Sequence, residues 1–179
     1  MPVEDADSRF TQVIGSLLAV VFEAADLALD PGVTRILVAL LNFMQGKESS
    51  GQERACGVTG FTAGCFTDTQ KARMLGLAAN QRRSFDTYAH YAEGAALQCW
   101  AELQQQDPPL QRMRDMAQRT DSAQPVDSTL AELWFNLSTA RIDAMREIES
   151  LLAEALAQQC NRRIAETRQE LNDRRLLLS

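Results

Sequence analysis

The chain has 179 residues, four cysteines, a single histidine and a net charge of −6. That length supports one domain with a sizeable core and is short for two. A lone histidine leaves a histidine-based metal site or catalytic triad without its parts, and the acidic balance argues against a general electrostatic grip on nucleic acid.

Prolines occur only at Pro2, Pro31, Pro108, Pro109 and Pro125. The long proline-free stretches, with few aromatic or β-branched runs, indicate an all-α protein. No basic segment followed by an apolar run and cleavage site opens the chain, so no signal peptide is expected. No window approaches the roughly 20 apolar residues of a membrane span. Cys56, Cys65, Cys99 and Cys160 form no CxxC pair and read as reduced thiols filling helix contacts. The expectation is a cytoplasmic protein with no membrane segment, no direct nucleic-acid contact, no metal and no cofactor.

Asp7 or Ser8 caps a first helix whose Phe10, Val13, Ile14, Leu17, Val21, Ala24 and Leu27 share one face. Asp30-Pro31-Gly32 breaks it, and Pro31 suits the first turn of a second helix running to about Gly64. Gly46, Gly51, Gly57, Gly60 and Gly64 fall within that helix, at roughly 1 kcal/mol each against alanine. Close approach of a neighbour accounts for Gly57, Gly60 and Gly64; a kink within 45–52 is an alternative. Thr67 or Asp68 caps a third helix, with Ala72, Leu75, Ala78, Ala79, Phe85, Ala89 and Ala92 inward. It runs to about Gln106 or bends near Gly94. Asp107-Pro108-Pro109 ends it, and a shorter helix spans Leu110–Arg119. Thr120–Asp127 is a loop. A last helix starts near Asp127 or Ser128 and runs almost to the end. Residues 1–160 are expected to form an elongated up-down four-helix bundle with a short extra crossover helix. Residues 161–179 form a helical extension for output or partner contact.

Two arginines interrupt apolar seams. Val33, Leu37, Leu40, Met44, Lys47, Gly51, Arg54, Val58, Phe61 and Cys65 follow helical spacing on the second helix. Leu130, Trp134, Leu137, Arg141, Ala144, Ile148, Leu152 and Ala155 do so on the last. A guanidinium cannot shed its charge, so an inward one needs an anion. That anion is either a carboxylate of the protein, such as Glu48, Glu53, Asp86 or Asp143, or an external one. Two guanidiniums offer roughly ten N–H donors in planar forks, suited to a flat oxyanion. In an external-anion pocket, Ser50, Gly51 and Ala55 would supply room and small contacts, and Thr139 a further donor. Trp134-Phe135 read as core anchors, Gln81 and Phe85 as packing residues, and Tyr88, His90 and Tyr91 as a partly exposed surface. Glu53 has no nucleophile, metal set or second tuned group beside it, so no enzymatic role is expected.

The run Lys47-Glu48-Ser49-Ser50-Gly51-Gln52-Glu53-Arg54-Ala55, followed by Gly57, Phe61, Gly64 and Phe66, resembles the nitrate- and nitrite-sensing (NIT) domain family. So does Trp134-Phe135 followed by Thr139, Arg141-Ile142-Asp143 and Glu147 or Glu149. The resemblance spans roughly Val33–Glu154. It implies a helical bundle of the kind found in bacterial nitrate-responsive regulators, chemoreceptors and signalling enzymes, and Arg54 and Arg141 match the family's anion-contacting arginines. The family's best-described sensor has two consecutive four-helix bundles, whereas this chain has length for one, so either part of the site is lost or a second subunit stands in for the other bundle. No attached output module, such as an RNA-binding antiterminator domain or a kinase, is expected. The resemblance therefore implies a homodimeric sensor that binds nitrate or nitrite between helices and signals by helix rearrangement to a downstream regulatory protein. The alternative is a ligand-free interaction or oligomerisation module whose arginines are internally paired.

Overall fold

The computed structural model describes residues 15–16, 19–20, 30–120 and 125–177. Among these it is all-α: α1 (Pro31–Thr62), α2 (Asp68–Tyr91), α3 (Gly94–Gln104), α4 (Pro108–Arg119) and α5 (Leu130–Leu177). Of the helix expected before Asp30, only residues 15–16 and 19–20 are described, and these are helical; the rest of it lies outside the described residues. The expected up-down bundle with a short crossover helix, α4, is found: α1 packs along both α2 and α5, and α3 along α5.

Local chemistry sets the boundaries. Asp30 Oδ1 accepts the Val33 N–H at 2.9 Å, and Pro31 follows in the first turn, so α1 starts where a missing donor costs least. The stretch 45–52 is uninterrupted helix rather than a kink. Thr67 and Gln70 form a reciprocal capping box at the start of α2. Between α2 and α3 the chain breaks at Ala92–Glu93, and Gly94 takes a φ of +62° that side-chain-bearing residues rarely adopt. The bend near Gly94 is therefore the outcome, and the continuous helix to Gln106 is not.

Two apolar clusters lie along the bundle. One joins Phe43, Phe85, Tyr88, Trp100, Met145 and Ile148, with Phe85 and Trp100 ring centres 4.3 Å apart. The other joins Cys56, Phe61, Phe66, Met74, Met113 and Trp134. Gly57 and Gly60 are required there: a Cβ would lie 2.2 Å from the Trp134 ring and 2.1 Å from the Phe66 ring, respectively.

Several expected faces are shifted. The deepest stripe of α1 is Phe43, Gly46, Ser50, Glu53 and Gly57, one residue ahead of the expected seam; Met44, Lys47, Gly51, Arg54 and Val58 form its half-buried rim. On α2 the buried residues are Met74, Leu77, Gln81, Phe85 and Tyr88, and Leu75 is exposed. Alanines lie on every side of α2, so they gave no phase. Tyr88 is fully buried, its hydroxyl donating to the Ala96 carbonyl at 2.8 Å, which corrects its reading as a surface residue. Phe135 is exposed rather than a core anchor.

Candidate anion-binding site

Among the described residues, the two apolar clusters are separated by a polar layer to which α1, α2 and α5 each contribute. On α1 it is Ser50, Glu53 and Arg54, between Phe43 and Cys56. On α2 it is Gln81, between Leu77 and Phe85. On α5 it is Ser138, Thr139 and Arg141, between Trp134 and Met145. Asp107 and Arg114 come from the start and middle of the crossover helix. Ser50, Glu53, Gln81 and Ser138 are all at least nine-tenths buried, where an unpaired polar group is costly.

Glu53 is the buried anion of this layer. Arg114 Nε and Nη2 donate to its two oxygens, each at 2.7 Å, and Gln81 Nε2 adds a bond of 2.7 Å. Burial pulls the Arg114 guanidinium toward losing its proton. The hydrogen bond and charge of Glu53, with the nearby charge of Asp107, outweigh it and hold Arg114 above its ordinary pKa. Ser50 Oγ donates toward Gln81 Oε1 and the Gly46 carbonyl, both at 2.9 Å, and accepts from Arg141 Nη1 at 3.3 Å.

Arg141 is paired within the chain. Its Nε and Nη2 donate to the two oxygens of Asp107 at 2.6 and 3.2 Å, and its guanidinium lies 5.6 Å from the Phe85 ring centre and 5.7 Å from that of Trp100. None of the acids expected as partners serves. Glu53 holds Arg114, Asp143 faces Arg146, and among the described residues neither Glu48 nor Asp86 forms an ion pair with Arg54 or Arg141. Asp107, read only as part of a helix breaker, carries the pairing.

Arg54 differs. Its Nη1 donates to Thr139 Oγ1 at 3.0 Å and its guanidinium lies 5.4 Å from the Phe135 ring centre; among the described residues it has no carboxylate partner. Its position is held by Trp134 Nε1, which donates to the Arg54 carbonyl at 2.9 Å. Arg54 thus reaches α5 at Thr139 while Arg141 reaches α1 at Ser50. These contacts are offset by only about 6 Å along α1 and about 3 Å along α5 at helical rise, so both arginines cross the α1–α5 interface within about a turn.

Of the residues expected to line this place, Ser50 is buried in the network, Thr139 is half-buried on Arg54, and Gly51 has nothing within 4 Å of where a Cβ would stand. Ala55 is exposed. Sequence reasoning missed Asp107, Arg114 and Ser138. Ser138 Oγ is the one buried side-chain oxygen or nitrogen among the described residues without a hydrogen-bond partner. It lies on the α5 stripe between Trp134 and Arg141, both of which touch α1. Two guanidiniums and a threonine hydroxyl at one helix interface suit a small planar anion. A groove of about 380 Å³ between α1 and α2 offers less: it is open, and its one guanidinium, Arg83, leans on Asn80. Among the described residues no group of side chains has the makings of a metal site, and no helix is long and apolar enough to cross a membrane.

Comparison with known proteins places this architecture. A nitrate regulatory protein of Klebsiella oxytoca is 33% identical over 150 residues, covering 83% of this chain and 37% of that protein. The solved structure of the NasR transcription antiterminator superposes with a TM-score of 0.79 at 32% identity, covering 88% of this chain and 43% of that one. The chain thus spans under half the length of either relative. These relatives are regulatory proteins, and they overturn the expectation of no nucleic-acid partner: a fold alike over most of this chain belongs to a transcription antiterminator. A net charge of −6 describes this sequence alone and says nothing of the rest of such a protein. A sequence profile described as nitrate and nitrite sensing matches residues 1–157, and the chain belongs to that nitrate- and nitrite-sensing (NIT) family.

Proposed function

We propose that this chain is a cytoplasmic, non-enzymatic sensor that binds nitrate or nitrite between α1 and α5 through Arg54 and Arg141, with Ser50, Gly51 and Thr139 around the anion. The observation that carries this reading is Arg54: a permanent charge beside the most polar layer of the bundle, with a neutral hydroxyl as its hydrogen-bond acceptor. An oxyanion there gains charge-assisted bonds that Thr139 cannot match. Binding draws α1 and α5 together at that level, and the shift it produces is limited by its differential affinity for the two helix arrangements. Membership of the family and the resemblance to a nitrate regulatory protein support the ligand class.

Titration calorimetry and thermal shift of the 179-residue chain with nitrate, nitrite and chloride test the reading. Saturable heat and a raised Tm with nitrate or nitrite, absent with chloride and lost in Arg54→Ala, are expected. No heat and no shift at millimolar nitrate sinks it. A second reading, a ligand-free interaction module, draws on the Arg141–Asp107 pair, and a silent titration favours it.

A further inference from the structure

We propose that Asp107 is a built-in competitor for the sensed anion and that its release makes α4 the element that responds. This rests on the sensor reading above. Asp107 stands immediately before α4, where an aspartate ordinarily accepts an N–H of the first turn. Here it makes no such cap bond. The first two helical positions are Pro108 and Pro109, which have no N–H to offer, and the carboxylate instead turns to Arg141 through both oxygens.

The geometry makes Asp107 and an oxyanion rivals. The Nε–Nη2 edge of Arg141 is the bidentate edge that a flat oxyanion uses, and Asp107 holds it. Its charge also offsets that of Arg141, so an anion arriving between Arg54 and Arg141 meets one uncompensated guanidinium rather than two. Exchange of partners gives that anion the whole fork and leaves Asp107, already a quarter exposed at its side chain, to water.

That exchange reaches α4 because the helix is held to the bundle by two ion pairs from opposite sides. Asp107 ties its N-cap position to Arg141 on α5, and Arg114 ties its middle to Glu53 on α1. Loss of the first leaves α4 held at Arg114 and by Leu110, Met113 and Ala117 in the core. Its N-terminal turn loosens while its remainder stays docked.

The test pairs a substitution with a measurement on the unaltered chain. Nitrate affinity by calorimetry is expected to rise about tenfold in Asp107→Asn, the size expected for removing one charge-assisted rival, with chloride still inert. Unchanged or weaker binding in a folded Asp107→Asn overturns the proposal, since Asp107 would then only position Arg141. Hydrogen exchange on the parent chain decides independently should that variant fail to fold. Nitrate is expected to speed exchange at the amides of Leu110–Arg112 and leave the second half of α4 unchanged; no change at the first turn overturns the proposal. A parent chain that does not bind nitrate fails the sensor reading itself, a result distinct from both.

Discussion

Arg54 donates to the hydroxyl of Thr139 at 3.0 Å, a permanent charge on α1 meeting a neutral oxygen on α5. One turn away, Arg141 spends the same kind of group on a carboxylate. The two arginines, equivalent by periodicity, therefore have different duties: one is bound into the protein and the other is left with charge to offer.

Arg54→Ala is expected to abolish the nitrate-dependent rise in Tm while changing stability by no more than about 1 kcal/mol, because a half-exposed guanidinium on a hydroxyl contributes little to folding. Arg54→Lys keeps the charge but loses the planar fork, so affinity falls without vanishing. Thermal shift of both variants, with and without nitrate, checks this. A large loss of stability in Arg54→Ala would mean that the residue is structural.

Removing one member of the buried Glu53–Arg114 pair leaves the other as an unmatched charge. Arg114→Met is expected to cost about 3–5 kcal/mol. Replacing both, as Glu53→Met with Arg114→Met, is expected to recover most of that loss, since two apolar side chains leave nothing unpaired except Gln81. Urea denaturation of the three proteins measures it. A double variant as unstable as the single one would show that the pair is worth more than its own desolvation.

Two glycines six residues apart on α1, Gly51 and Gly57, should respond in opposite senses. At Gly57 an added methyl group meets the Trp134 indole, which is locked by its bond to the Arg54 carbonyl, so Gly57→Ala is expected to destabilise by about 1–3 kcal/mol. At Gly51 nothing stands in the way, and Gly51→Ala should stabilise the helix by up to about 1 kcal/mol. Equal effects on Tm would contradict the packing described.

Asp30 supplies a pH dependence. The Val33 N–H first, then the Gln159 amide, hold its carboxyl below the ordinary value against the opposing effect of burial, and the charge of Arg163 and the Gly32 N–H add smaller shares. A depressed carboxylate contributes stability that is present above its unfolded pKa of about 3.9 and is lost as pH falls through the lowered native value. Asp30→Asn keeps a capping side chain but has no charge to lose. Its Tm should therefore fall less than that of the parent between about pH 5 and pH 2; parallel falls would refute the assignment.

The helices were legible because their ends are written in local chemistry: Asp30-Pro31, Thr67 with Gln70, Gly94, and Asp107 with its two prolines. That Arg54 and Arg141 each turn toward a neighbouring helix was legible from periodicity; that they meet at one interface depends on their levels in the bundle, which spacing does not give. What periodicity could not resolve was a one-residue phase. Glu53 proved to be the deepest charge of α1, and Arg54 its rim. Nor could spacing along the chain reveal partners from the crossover helix. Asp107 and Arg114 join the layer only because α4 folds back across α1 and α5, and nothing local to either residue marks that return. On α2, alanines on every face concealed that Met74 and Leu77, rather than Leu75, meet the core.

α5 runs unbroken from Leu130 to Leu177, through Arg141 and on past Leu152, the last buried residue among those described. An α-helix is stiff in torsion, so a twist imposed at Arg141 arrives at Leu177, about 54 Å further along the axis, with its angular phase preserved. Inserting one residue into the exposed segment after Asn161 would turn the far end by about 100°. Inserting seven would return it almost to its original bearing. If the proposed sensor signals through this helix, its response would be lost in the first variant and kept in the second.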